Sequence, residues 1–367
     1  MRWLTVLFGL LLFAAAPARG PGWGSGPPAR LGVSGSRGAV MRGPAPLNQY
    51  HIAVPGYAWH FPRDDAAHPN FASEWWYFTG NLHSAQGKEY GFELTFFRIA
   101  PKPGLQLTQQ LYFTHFSITD ASHHRFAFHT RARRGNWAQA GARSRAGHFR
   151  VWNENWYADF NAAGPDHVHA AWDGMKLDLD VKSSQRMLNG IGGWSQKGSG
   201  RGEASYYYSF PHLQVYGTVD DTAVTGLAWM DHEFATDQLA PDQQGWDWMG
   251  LHLPGGDLML YNLRLKGNRR DPHSAGTWRP HGGKPEHLTA ADFIMTPIAW
   301  WQSYPITWRV RVPRFRLAFT VTPLVKDQEI RAPDIGVRYW EGAVRVSGGG
   351  EGYLELTGYK NKFRLLQ

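Results

Sequence analysis

In Tyr90-Gly91-Phe92-Glu93-Leu94-Thr95-Phe96 the apolar residues Tyr90, Phe92, Leu94 and Phe96 recur at every second position. An extended backbone gathers them on one face, whereas a helix would scatter them around its circumference. The same period returns along the chain. Leu111-Tyr112-Phe113-Thr114-His115-Phe116-Ser117-Ile118 begins apolar on both faces, as a strand with neighbours on either side would. Met175-Lys176-Leu177-Asp178-Leu179-Asp180-Val181 alternates cleanly and predicts one wet face. Gly256-Asp257, Gly282-Gly283 and Gly348-Gly349-Gly350 read as turns. Helical patterning is scarce; residues 289–294 predict one short turn of helix beginning at a Thr289 cap. The expected fold class is therefore all-β and antiparallel, with few short helices.

Two stretches resemble each other. Trp75-Trp76-Tyr77-Phe78 runs to a glycine turn at Gly87 and a strand ending at Arg98, and Trp246-Asp247-Trp248-Met249 runs to Gly255-Gly256 and a strand ending at Arg264. At 367 residues the chain is long for one core and comfortable for two domains, so this likeness predicts two related β-barrels side by side. The expected divisions are residues 1–18, 19–48, 49–238 and 239–367. The chain holds 18 Trp, 15 Tyr and 20 Phe, enough to line an aromatic cavity as well as a core.

The net charge of +8 suggests nucleic acid until it is located. Five arginines and no acidic residue fall within the first 50 positions, so most of the excess belongs to the N-terminal tail. The basic run at residues 125–150 carries no dense phosphate-binding motif, and nucleic acid is not an expected partner. Arg2, the apolar run at residues 4–16 and Ala16-Pro17-Ala18 read as an export signal with a small-x-small cleavage site. Residues 19–48, rich in Gly, Pro, Ser and Arg, read as a disordered linker, with order beginning near Tyr50. A periplasmic or extracellular protein is expected. The chain has no cysteine, so neither disulfide nor thiolate chemistry is available.

Several familiar chemistries are missing. Thr236 stands where a zinc-protease helix would place its second histidine after His232-Glu233. There is no Gly-x-Ser-x-Gly elbow, and Gly283-Lys284 leads into Pro285 rather than a phosphate-binding helix. His167-Val168-His169 has a spacing that zinc sites use, but the neighbouring sequence offers no third ligand, and these read, like His123-His124, as surface histidines. No metal or organic cofactor is called for.

Trp229-Met230-Asp231-His232-Glu233 carries more weight. It places two carboxylates and an imidazole among large apolar side chains, where proton affinities shift. In a strand Asp231 and Glu233 share one face and His232 takes the other. A buried carboxyl here would keep its proton and could donate it, with His232 or an arginine such as Arg264 pairing whichever acid stays ionised. Glu74-Trp75-Trp76-Tyr77 and Trp246-Asp247-Trp248 repeat the theme of a carboxylate among indoles.

Five segments together carry a resemblance: Ser73-Glu74-Trp75-Trp76-Tyr77, Ala204-Ser205-Tyr206-Tyr207-Tyr208-Ser209, Gly226-Leu227-Ala228-Trp229-Met230-Asp231-His232-Glu233, Gly245-Trp246-Asp247-Trp248 and Tyr339-Trp340-Glu341-Gly342-Ala343-Val344. In these the chain resembles the secreted AttH-like proteins and, more distantly, the carotenoid 1,2-hydratases. The resemblance implies paired lipocalin-like barrels with a lipophilic-ligand site between them. It also implies acid-catalysed addition of water to an isoprenoid-type double bond, with Asp231 as the matching acid. The hydratase pattern has His-x-Trp where Tyr206-x-Tyr208 stands and Tyr-x-Asp-His-Asn where Trp229-Met230-Asp231-His232-Glu233 stands, which weakens the specific substrate.

The expected catalytic residues are Asp231, His232 and Glu233. Tyr206, Tyr208, Trp229 and Trp248 are expected to form an aromatic wall. Glu74, Trp75, Tyr77, His115, Trp246, Asp247, Tyr261 and Arg264 complete the expected pocket. The expected partner is a hydrophobic small molecule, with peripheral contact to a membrane compatible and the oligomeric state open. Two other readings stand beside the enzyme: a non-catalytic carrier, and a hydrolase using a carboxylate-activated water.

Overall fold

The computed structural model describes residues 49–360 except 137, 162–165, 183 and 333–335. The expected export signal and linker lie outside the described residues. Two antiparallel sheets account for almost all the secondary structure. The first holds β1 (Ser73–Ser84), β2 (Glu89–Ile99), β3 (Leu111–Asp120), β4 (Arg125–Arg134), β5 (Ala140–Arg145), β6 (His148–Asn153) and β7 (Trp156–Asn161). It continues through β8 (Asp166–Trp172), β9 (Met175–Lys182), β10 (Met187–Leu188), β11 (Trp194–Gln196), β12 (Ala204–Val219) and β13 (Thr222–Ala235). The second holds β14 (Gln243–Leu253), β15 (Gly256–Leu265), β16 (Ala275–Pro280), β17 (Glu286–Leu288) and β18 (Ile294–Trp301). Its remaining strands are β19 (Tyr304–Val312), β20 (Leu317–Pro323), β21 (Glu329–Ala332), β22 (Val337–Val346) and β23 (Gly350–Leu356).

The first sheet runs in the order β4-β3-β2-β1-β13-β12-β9-β8-β7-β6-β5, and the second β17-β16-β15-β14-β23-β22-β20-β19-β18. Each is curled and barrel-like, as the alternation predicts, and the chain passes from one to the other between Ala235 and Gln243. Among the described residues helix is confined to three-residue 3-10 turns. The helical turn expected at residues 289–294 is instead a single hydrogen-bonded turn. Asp292 accepts from the Thr289 amide and hydroxyl while donating its own amide to the Thr289 carbonyl, and β18 follows at once.

Strand parity sorts the side chains into three compartments. The interior of the first sheet receives Trp76, Phe78, Phe92, Leu94 and Phe96; Trp76 stacks on His232 and Phe78 on Phe160. The interior of the second is packed with Met249, Leu251, Leu258, Leu260, Trp308, Trp340 and Leu354. Between the two lies a third cluster, in which Tyr77, Tyr207 and Trp229 meet Trp248, Met259, Tyr261, Ala343 and Tyr353. Burial of such rings is worth a few kcal/mol each, about 3–5 on truncation to alanine.

This third compartment makes the polar face of β2 dry. Gly91, Glu93 and Thr95 point away from Phe92 and Leu94, yet all three are buried, because the second sheet covers them. A Cβ on Gly91 would come within 2.4 Å of Ala343 Cβ, so only glycine permits this approach.

Candidate functional site

Asp231 and Glu233 leave β13 on the face turned toward the second sheet, and Tyr207 leaves β12 on the same face, opposite Glu233 in the register. Trp75 and Tyr77 from β1 and Phe97 from β2 join them. The second sheet contributes Trp246 and Trp248, Tyr261, Tyr339, Glu341 and Glu355. These residues line a cleft with about 740 Å³ of space unfilled by protein atoms, its open mouth included. Trp75, Trp246, Leu239 and Glu355 are half-buried, whereas Asp231, Tyr207 and Glu341 are buried. The cleft belongs to neither barrel interior but to the seam between the sheets.

Asp231 accepts three hydrogen bonds: Tyr207 Oη donates to Oδ2 at 2.6 Å, and Ser209 Oγ and Trp229 Nε1 donate to Oδ1 at 2.5 and 2.6 Å. Trp248 Nε1 donates to Tyr207 Oη at 3.2 Å, so an indole of the second sheet is tied to the acid of the first. Burial raises the Asp231 pKa to about 7, outweighing the three donors, which favour the charged form; Glu233 adds to the rise. Asp231 thus carries a proton over much of the range below neutrality.

Glu233 has a different environment. Lys197 Nζ lies 3.2 Å from Glu233 Oε1, and Ser205 donates to the same oxygen. The ammonium also sits 3.9 Å from the centre of the Tyr261 ring, whose hydroxyl meets Ser195 Oγ at 3.0 Å. Burial alone would lower the Lys197 pKa, but Glu233 and Tyr261 outweigh it and raise it, so the ammonium is retained. The neighbouring acids therefore differ: both are buried, but one has its proton affinity raised while the other is held in a salt bridge.

Across the cleft, Glu341 lies among Glu93, Glu355, Tyr77 and Tyr339, and burial, then the other two carboxyls, hold its proton affinity far above the ordinary range. Burial likewise raises Glu93 and Glu355. Trp246 Nε1 donates to Glu355 Oε2 at 2.9 Å and Thr95 Oγ1 to Glu93 Oε1 at 2.7 Å.

Several expected pocket residues lie elsewhere. His232 points into the first sheet, where its Nε2 meets Glu74 Oε1 at 2.8 Å and its ring stacks on Trp76. Glu74 is not a cleft residue: Arg98 Nε donates to it at 2.7 Å and His68 Nδ1 lies 2.7 Å away. Burial would raise the Glu74 pKa, but Arg98, His68 and His232 hold it well below the carboxylate range. Tyr206 and Tyr208 turn to the same interior, bonded to the Val54 carbonyl and to Asp65; strand alternation leaves the cleft to Tyr207. Asp247 and Arg264 face the second barrel's interior, 3.0 Å apart, with Tyr359 stacked on the guanidinium. Trp229 stands behind Asp231 and holds it. His115 is one layer back, its Nδ1 2.7 Å from Tyr339 Oη, and burial lowers its pKa to about 3.

Sequence reasoning missed Tyr207, Lys197, Glu341 and Glu355. Tyr207 is legible only once β12 is registered on β13. Lys197 lies in a glycine-rich loop with no local signal.

The model of AttH-like proteins matches residues 52–359. The structure is similar to the crystal structure of a protein classed as AttH from Nitrosomonas europaea, with 33% identity, a TM-score of 0.75, and coverage of 84% of this chain and 99% of that one. It is similar in fold to kievitone hydratase from Nectria haematococca, with 14% identity, a TM-score of 0.60, and coverage of 85% and 97%. No curated protein matches the sequence. The chain belongs to the AttH-like family.

Proposed function

We propose that this chain binds a lipophilic, unsaturated small molecule in the seam between its sheets and transforms it by acid–base chemistry, adding water to a double bond or removing it. Asp231 is the proton donor. The observation that carries the reading is this carboxyl buried in an aromatic-walled cleft, where burial raises its pKa to about 7. Protonation of an alkene leaves a carbon cation, and the faces of Tyr207, Trp248 and Trp75 stabilise such charge by their ring quadrupoles. Glu233, paired with Lys197, is placed to orient water. His232 has no part in this step, because it lies on the far face of β13. The hydratase fold neighbour supports the architecture for such a reaction. An export signal at residues 1–18, as expected from the sequence, would make the substrate one met outside the cytoplasm.

One observation favours the carrier. Both oxygens of Asp231 already accept hydrogen bonds, which suits a structural role for the group. Asp231→Asn separates the two. With polyene or isoprenoid substrates, turnover is read as the mass gain of one water and binding as quenching of tryptophan fluorescence. The enzyme reading predicts a fall in turnover of at least about a hundredfold, with binding kept within about threefold. Binding by the unaltered protein without any change of ligand mass would establish the carrier.

A further inference from the structure

Glu93, Glu341 and Glu355 are left over by this mechanism. Glu93 and Glu341 are fully enclosed, at 0% and 1% exposed, and their polar neighbours are hydroxyls, Thr95 and Ser117 at Glu93, Tyr77 and Tyr339 at Glu341. Among the described residues none of the three glutamates makes an ion pair; the one ammonium lining the cleft, Lys197, is held by Glu233. Three carboxyls buried with no cation hold their protons, and an entering cation would draw them into the charged form. The glutamates are graded in depth: Glu355 stands half-buried at the mouth beside Trp246, and Glu341 and Glu93 lie further in. The rings around them are Trp75, Tyr77, Phe97, Trp246 and Tyr339. Carboxylates within an aromatic box are the arrangement that recognises an organic ammonium, since the rings attract the cation while shedding its water.

We infer that the second wall of the cleft, Glu341 and Glu355 with Glu93 behind them, binds a positively charged amine on the lipophilic ligand, making the substrate class an amphiphilic amine. The inference rests on the cleft being the ligand site, as proposed above, and adds which end of the ligand goes where: the ammonium against β22 and β23, the reacting bond beside Asp231 of β13. A bound cation stabilises the charged form of the glutamates, so affinity rises with pH as they ionise. The titratable and charged groups facing them are Tyr77 from β1, His115 from β3, Lys197 from the loop after β11, Asp231 and Glu233 from β13, Tyr339 from β22 and Tyr353 from β23.

The test compares decyltrimethylammonium with decanol, both below their aggregation limits, by quenching of tryptophan fluorescence. The inference predicts about tenfold tighter binding of the cation at pH 8, with the preference shrinking at pH 6. Glu341→Gln should remove most of that preference, read as the ratio of the two affinities in the variant against the ratio in the unaltered protein. Glu93→Gln, read against its own thermal midpoint, serves if Glu341→Gln does not fold. Equal affinity for the two probes, or a preference that survives in both variants, overturns the inference. So does displacement of the probe by magnesium ions alone, which would mark a bare-cation site. In Asp231→Asn the preference should persist. Equal binding of both probes by a protein that still hydrates substrate sinks only the ammonium site, whereas failure of both probes to quench removes the cleft as the ligand site.

Discussion

Asp231 is pulled in two directions. Burial favours its neutral form, and the donors Tyr207, Ser209 and Trp229 favour the anion; burial prevails and the group titrates near 7. Removing a donor should tip the balance further. In Tyr207→Phe the hydrogen bond that favours the carboxylate is gone, so the Asp231 pKa should rise. A reaction that needs the protonated acid loses rate as pH climbs through that pKa, so the alkaline limb of the rate profile should move to higher pH. A limb that moves to lower pH, or stays put, would contradict the proton-donor role. The presence of an acid at Asp231 and its sharing of a face with Glu233 were legible from alternation. The choice of tyrosine was not, because Tyr206, Tyr207 and Tyr208 are equivalent until β12 is laid against β13 and Tyr207 falls opposite Glu233.

The strands explain why a carboxylate beside tryptophan misleads. In Glu74-Trp75-Trp76-Tyr77 the indole of Trp75 and the phenol of Tyr77 face the cleft, while Glu74 and Trp76 face the first barrel. In Trp246-Asp247-Trp248 both indoles face the cleft and Asp247 does not. The likeness between the two hairpins thus extends to a buried pair in each barrel, Glu74–Arg98 at 2.7 Å and Asp247–Arg264 at 3.0 Å. Such pairs are structural. Arg98→Met leaves Glu74 without its guanidinium and should cost about 3–5 kcal/mol in urea unfolding. Because Arg98 does not line the cleft, decanol binding by the folded fraction should be unchanged. A cost below about 0.5 kcal/mol would show that His68 and His232 suffice to hold the charge.

Assembly of the two sheets creates what no single strand encodes. The period-two pattern from Tyr90 onward makes the β architecture readable, and the turns at Gly256 and Gly348 fall between paired strands. What the pattern cannot convey is that a sheet's polar face will be dried by a second sheet. Glu93 and Glu341 look like solvated positions until β2 and β22 are brought together, and Lys197 becomes an ion-pair partner only when its loop closes beside β13.

The same drying gives stability a dependence on pH. Asp231 binds its proton more tightly in the folded state than in the unfolded chain, so its contribution is complete below about pH 4 and is lost as pH rises toward 7. Other groups titrate in this interval too, so the informative quantity is a difference. Unfolding free energies of the unaltered protein and of Asp231→Asn should be measured in urea from pH 4 to pH 8. The unaltered protein should lose up to about 4 kcal/mol relative to the variant across that range, because folding strengthens proton binding at Asp231 roughly a thousandfold. Two parallel curves would mean that Asp231 is ionised in the folded protein and cannot be its acid.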